Sequence, residues 1–108
     1  MNALQHICIF RIGDTRLCVA IDEVQQVVEG LELMPMPLAP DVVRGLINLR
    51  GLVVTALDGG MVFGLSSCDE QPLTHLVVLS GGQALSLVVD EVIDGQRFEV
   101  PGLRLDDA

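Results

Sequence analysis

The stretch at residues 42–58, VVRGLINLRGLVVTALD, constrains this chain more than any other part of it. It is almost entirely apolar and rich in Val, Leu and Ile, residues that suit strands. Yet it carries Arg44 and Arg50, each followed at once by glycine. Arginine keeps its charge in a folded protein, and burying it unpaired costs on the order of several kcal/mol. Residues 42–49 and 52–57 therefore read as two strands of a hairpin turning at Arg50-Gly51, with at least one guanidinium at a surface. A cation fixed on a rigid apolar strand pair suits a recognition surface better than a catalytic cleft.

The rest of the chain supports this reading. Its 108 residues are enough for one domain or two very small lobes. With 3% aromatic residues and neither Trp nor Tyr, the core must be built from Val, Leu and Ile. Six basic residues against fifteen acidic ones give a net charge of −9. That argues against nucleic acid and against an anionic membrane surface, and it is compatible with a basic protein partner. Every basic residue is Arg, so a phosphate-loop lysine, a Schiff-base lysine and a Ser/Lys pair are all excluded. No apolar run approaches the roughly 18 residues of a membrane span, and no signal-peptide pattern opens the chain. The expectation is a cytoplasmic protein that is not inserted in a membrane.

The reactive residue types form no familiar constellation. Cys8, Cys18 and Cys68 are odd in number and show no CxxC spacing. Cys8 and Cys18 lie in apolar runs and are expected to be small buried hydrophobes. Cys68 lies in a polar stretch beside Asp69 and Glu70 and is expected to be exposed. A Cys68-based thiol redox role is one alternative function, although neighbouring carboxylates disfavour a thiolate. His6 and His75 have no further ligands at zinc-like spacing, so no metal is expected. Ser66-Ser67-Cys68 lacks the glycine frame of a nucleophile elbow.

Along the chain, residues 7–12 read as a strand, Gly13-Asp14 as a hairpin turn in which Gly13 takes positive φ, and residues 17–21 as the return strand. Asp22 with Gln25 three residues later resembles a capping box, so a short helix is expected from there to Glu29, stopping at Gly30. Residues 31–40 contain Pro35, Pro37 and Pro40 and should be extended without forming a central strand. Residues 59–65 suggest a helical turn, and residues 66–72 a polar loop. Asn48 should bond backbone at the hairpin turn, and Asp58 should cap the end of its strand.

The second half then repeats the first. His6-Ile-Cys-Ile-Phe, a glycine turn, Leu17-Cys-Val-Ala-Ile and Asp22-Glu-Val recur as His75-Leu-Val-Val-Leu, Gly81-Gly82, Leu85-Ser-Leu-Val-Val and Asp90-Glu-Val. Self-similarity of this kind points to two related β lobes; chance likeness between apolar hairpins is the alternative. The second copy reaches only residues 96–100, Pro101 and an acidic end, Asp106-Asp107. Its lobe is expected to lack a hairpin, leaving an open edge through which the chain could self-associate.

The run VRGLINLRGLVVTALD resembles the signature of CheW-type chemotaxis coupling proteins, RG-x-x-N-x-RG followed by two short β runs and Asp-Leu-Arg. Phe10, Gly13-Asp14, Val19, Ile21, Val24, Pro40, Gly45, Asn48-Leu49-Arg50-Gly51 and Asp58 fall where that pattern places them, and Val88-Val89-Asp90-Glu91-Val92 resembles its VVD-x-V element. The family's Pro between the β runs is Thr55 here, its Asp-Leu-Arg is Asp58-Gly59-Gly60, and the chain stops before the family's last hairpin and helix.

The resemblance implies a mainly β fold: two SH3-like five-stranded β-barrel lobes packed side by side, the second incomplete, with one short helix after the first hairpin. It implies a single domain over 1–108, with lobe 1 near 14–66 and lobe 2 made of 1–13 with 72–108. It implies no catalysis and no cofactor. The partners would be the cytoplasmic tip of a chemoreceptor and a CheA-type histidine kinase, in a flagellar, pilus or other chemosensory pathway. Val24, Gly45 and Arg50 would face the receptor and Ile21 the kinase, while Gly13, Asn48, Gly51 and Asp58 would carry the structural motif. The chain could instead be a detached CheW-like regulatory domain of a kinase. For Arg50, chemistry alone leaves carbonyl capping and partner binding equally open, and the resemblance favours binding.

Overall fold

The computed structural model describes residues 2–69 and 71–101. Eight strands run in the order β1 (Asn2–Ile12), β2 (Thr15–Ala20), β3 (Val24–Glu29), β4 (Val43–Leu49), β5 (Leu52–Asp58), β6 (Thr74–Ser80), β7 (Gln83–Val89) and β8 (Glu91–Pro101). One short helix, α1 (Gly59–Val62), follows β5. The strands form a three-stranded sheet, β2-β1-β8, and a five-stranded sheet, β3-β6-β7-β5-β4.

The fold is mainly β in two sheets, as the sequence implies. Among the described residues the sheets do not close into barrels. The larger one comes nearest to closing where Met34, on the chain continuing from β3, exchanges two backbone bonds with Leu46 of β4, at 2.8 and 2.9 Å. The contact stays a single bridge: two residues on, the Met36 carbonyl is turned to the Ala39 N–H, at 3.3 Å, and the strand does not continue.

The expected helix after the first hairpin is absent. Only a 3-10 turn, Ile21–Glu23, follows β2, and no side chain caps it. The chain then enters β3, whose burial alternates residue by residue and which pairs with β6. Val24, Gln26 and Val28 lie on one face at the strand period, and the β-branched valines prefer that conformation. Asp22 and Gln25 offered a local start signal that pairing with β6 overrode. The one α-helix among the described residues sits after the second hairpin instead, capped by Asp58, whose Oδ1 accepts the Met61 N–H at 3.1 Å.

The repeat is visible as two hairpins, β1–β2 and β6–β7, each followed by a further strand. Those further strands are exchanged: β3 of the first copy pairs with β6, and β8 of the second pairs with β1. Each exchanged ladder carries one extra residue, Gln25 and Asp94. The acidic end at Asp106-Asp107 lies outside the described residues.

One apolar core spans both sheets, taking Cys8, Phe10 and Ile12 from β1, Ile47 from β4, Val54 and Ala56 from β5, and Leu76, Val78, Val88 and Val89 from β6 and β7. Residues 74–78 of β6 are all buried, as this strand lies inside the larger sheet between β3 and β7. Cys8 is buried as expected, whereas Cys18 is exposed: it alternates with the inward Leu17 and Val19 and points outward.

Candidate functional site

The β4–β5 hairpin forms as the sequence predicts, with Leu49 paired to Leu52 around Arg50-Gly51. Both turn residues have positive φ, 51° and 87°. That is type I′ geometry, whose twist matches the flanking strands. Asn48 secures it, its Oδ1 accepting the Gly51 N–H at 2.8 Å. Arg50 is exposed, and among the described residues its guanidinium has no hydrogen-bond or ion-pair partner. It caps no carbonyl, and its charge is displayed outward from a fixed turn.

Arg44, six residues earlier, does the opposite. Its Nη1 donates to Asp58 Oδ2 at 2.9 Å and to the Cys68 carbonyl at 2.7 Å. Asp69 Oδ1 lies 3.8 Å away. Asp58 is 1% exposed, so Arg44 compensates a buried carboxylate while Asp58 also caps α1. The sequence pattern points to Asp58 as a strand-end cap and to no partner for Arg44. The pair is separated by 14 residues, and no local pattern announces it.

This clasp corrects the reading of Cys68. Its side chain is fully buried, and burial is the main cause that pushes the thiol up to about 11. The carboxylates that add to the rise are those of Asp90 and Asp58, while Glu70 lies outside the described residues. Arg44 and the Gly60 backbone act the other way without reversing it. A thiol this deep and this weakly acidic does not suit redox chemistry.

Gly45, expected to face a partner, is buried. Its φ is 143°, and an added Cβ would lie 2.5 Å from the Met34 carbonyl oxygen. It is the floor on which the 33–34 segment rests. Gly59 and Gly60, where the family has Leu and Arg, have a comparable reason. A Cβ on Gly59 would come within 2.5 Å of the Val88 carbonyl, and one on Gly60 would overlap the Ser66 carbonyl.

Ile21 and Val24 are brought together. Both are half-buried and line a groove of about 670 Å³ where the smaller sheet meets β3. Cys8, Val27 and Val92 supply further apolar wall, and Arg11, Glu29, Asp90 and Glu91 its charged rim. Gly13, with φ 57°, belongs to the same rim network. Its N–H donates to Asp90 Oδ2 at 2.6 Å, and its carbonyl accepts from Arg11 at 2.7 Å. Arg11 also pairs with Glu91 at 3.1 Å. Neither Gly45 nor Arg50 lines this groove; both belong to the β4–β5 hairpin, at the other side of the larger sheet from β3.

The histidines separate. His6 is exposed. His75 is buried in β6, its Nδ1 2.9 Å from Ser86 Oγ, and among the described residues its Nε2 has no hydrogen-bond partner. Burial first, and then the nearby Arg44 charge, lower its pKa below 6.5. Among the described residues no helix is long and apolar enough to cross a membrane.

Comparison with known proteins places the fold. Residues 6–105 match the family model of the CheW-like domain. The chemotaxis protein CheW of Rhizobium meliloti is 33% identical over 95 residues, covering 86% of this chain and 61% of that protein. Protein FrzA of Myxococcus xanthus is 32% identical over 92 residues, covering 84% and 58%. The crystal structure of the scaffolding protein CheW from Thermoanaerobacter tengcongensis superposes with a TM-score of 0.81 at 25% identity, covering 87% of this chain and 65% of that one. The chain thus spans about three fifths of the length of these curated relatives.

Proposed function

Since the chain belongs to the CheW-like domain family, we propose that it is a non-enzymatic cytoplasmic adaptor that couples the cytoplasmic tip of a chemoreceptor to a CheA-type histidine kinase. The observation that carries this reading is Arg50. It is an exposed cation with no hydrogen-bond or ion-pair partner for its guanidinium among the described residues, on a turn locked by Asn48, in a chain of net charge −9. A turn residue whose side chain bonds nothing among the described residues is suited to contact something else.

The second surface is the groove lined by Ile21 and Val24, apolar with a charged rim, the composition of a protein-binding cleft. With Arg50 and the groove on different elements, the adaptor can hold two partners at once. Isothermal titration with a receptor cytoplasmic fragment and with a kinase regulatory domain tests this. The expected result is binding to each, with the second still binding after the first is saturated. Binding to neither, or strict competition, ends the coupling role.

Self-association belongs to the same proposal. The outer edge of β8 has no strand partner among the described residues, and an open edge pairs readily with another strand. Sedimentation should show a concentration-dependent dimer; a monomer at high concentration removes this part.

A further inference from the structure

The segment between β3 and β4 holds the residue most at odds with its surroundings. Leu38 has a φ of 66° and a side chain exposed to 105% of its reference area. It occupies the third position of a turn closed by the Ala39 N–H to the Met36 carbonyl at 3.3 Å, with Pro37 before it. Proline second and positive φ third is type II geometry, and its third position ordinarily takes Gly or Asn. A leucine there strains the backbone, and its side chain buries nothing in return. Met34 and Met36 are exposed as well, so three large apolar side chains recur at alternate positions.

The loop is nevertheless held firmly. Met34 is bonded to Leu46 on both sides, the Val43 N–H donates to the Pro40 carbonyl at 2.9 Å, and Pro35, Pro37 and Pro40 limit the chain between them. Gly45 lies directly beneath Met34. An apolar tip on a stiff support, kept against the local backbone preference, is preorganised to insert into something.

We propose that residues 34–38 form a preformed apolar anchor, with Leu38 at its tip, which enters an apolar pocket with a basic rim on the chemoreceptor tip, and that Gly45 is a positioning residue acting through this loop. Charge selects the kind of pocket. The loop is flanked by exposed Glu32 and Asp41, and the whole chain is acidic. The choice of receptor rests on the adaptor reading above.

The test uses Leu38→Gly and Leu38→Asn, both of which relieve the strained backbone. The purified chain is titrated with a receptor cytoplasmic fragment and, separately, with a kinase regulatory domain from the same organism. Each variant should melt a few degrees higher than wild type, bind the receptor fragment about tenfold more weakly or worse, and bind the kinase domain unchanged. Gly45→Ala should also weaken receptor binding, and should weaken it little further in a chain already carrying Leu38→Gly. Unchanged receptor binding by both Leu38 variants overturns the proposal, as does an equal loss towards both partners. A wild-type chain that binds the kinase domain but not the receptor fragment removes the anchor's assigned target. One that binds neither refutes the adaptor reading and the anchor with it.

Discussion

The hairpin of β4 and β5 contains the dipeptide Arg-Gly twice, six residues apart, and the two copies do different work. Arg44 turns inward to Asp58 and the Cys68 carbonyl, and Gly45 makes room for the Met34 backbone. Arg50 turns outward with no partner among the described residues, and Gly51 completes a type I′ turn. The same two residue types hold a fold together at one place and display a charge at the other. What separates them is position: a paired strand beside a buried carboxylate against a solvent-facing turn. A short arginine-glycine motif therefore carries no single meaning, and a partner-binding role cannot be transferred from one copy to the other.

The sharpest way to break this contrast is Arg44→Ala. It leaves the buried Asp58 without its cation and should cost about 3–5 kcal/mol, read as a lowered urea midpoint with an unchanged slope. If stability stays within about 0.5 kcal/mol of wild type, the range of an ordinary surface substitution, the inward assignment fails. Gly45→Ala comes next. Its Cβ would meet the Met34 carbonyl, and its backbone lies where side chains rarely go, so a loss of about 1–3 kcal/mol is expected in thermal unfolding.

A subtler reporter is His75. Burial is the main cause of its lowered pKa, and the Arg44 charge adds to it. In Arg44→Ala the imidazole, followed by NMR, should titrate at higher pH than in wild type, whereas a change at Arg50 should leave it unmoved. Because the folded pKa lies below 6.5, the unfolded chain takes up the proton first. This contribution to stability is complete above about 6.5 and declines as pH falls from there towards the folded pKa.

Much of this was legible in the sequence, for identifiable reasons. The hairpin and its Arg50-Gly51 turn follow from two β-rich runs and a dipeptide at their junction, and Asn48 suits the turn because its side chain is short enough to reach the backbone. The exchanged ladders were not legible, since a repeat shows that two units are alike and not how they pair. The helix expected after Asp22 failed because a cap signal is local, while the pairing of β3 with β6 is not. The polar neighbours of Cys68 point to an exposed loop, but Arg44, 24 residues away, binds its carbonyl as the chain is drawn inward. Leu38 carried no warning: nothing in PMPLAP says that the leucine takes the glycine position of its turn.

The most direct test of the central claim, that Arg50 is kept for what it contacts, is Arg50→Asn. It creates Asn-Gly, the pair that type I′ turns prefer. The thermal midpoint and the affinity for a receptor cytoplasmic fragment are measured on the same sample. The midpoint should hold or rise slightly while the affinity falls about tenfold, the loss of roughly 1.4 kcal/mol of binding. A falling midpoint with unchanged affinity would contradict the claim and return Arg50 to the fold.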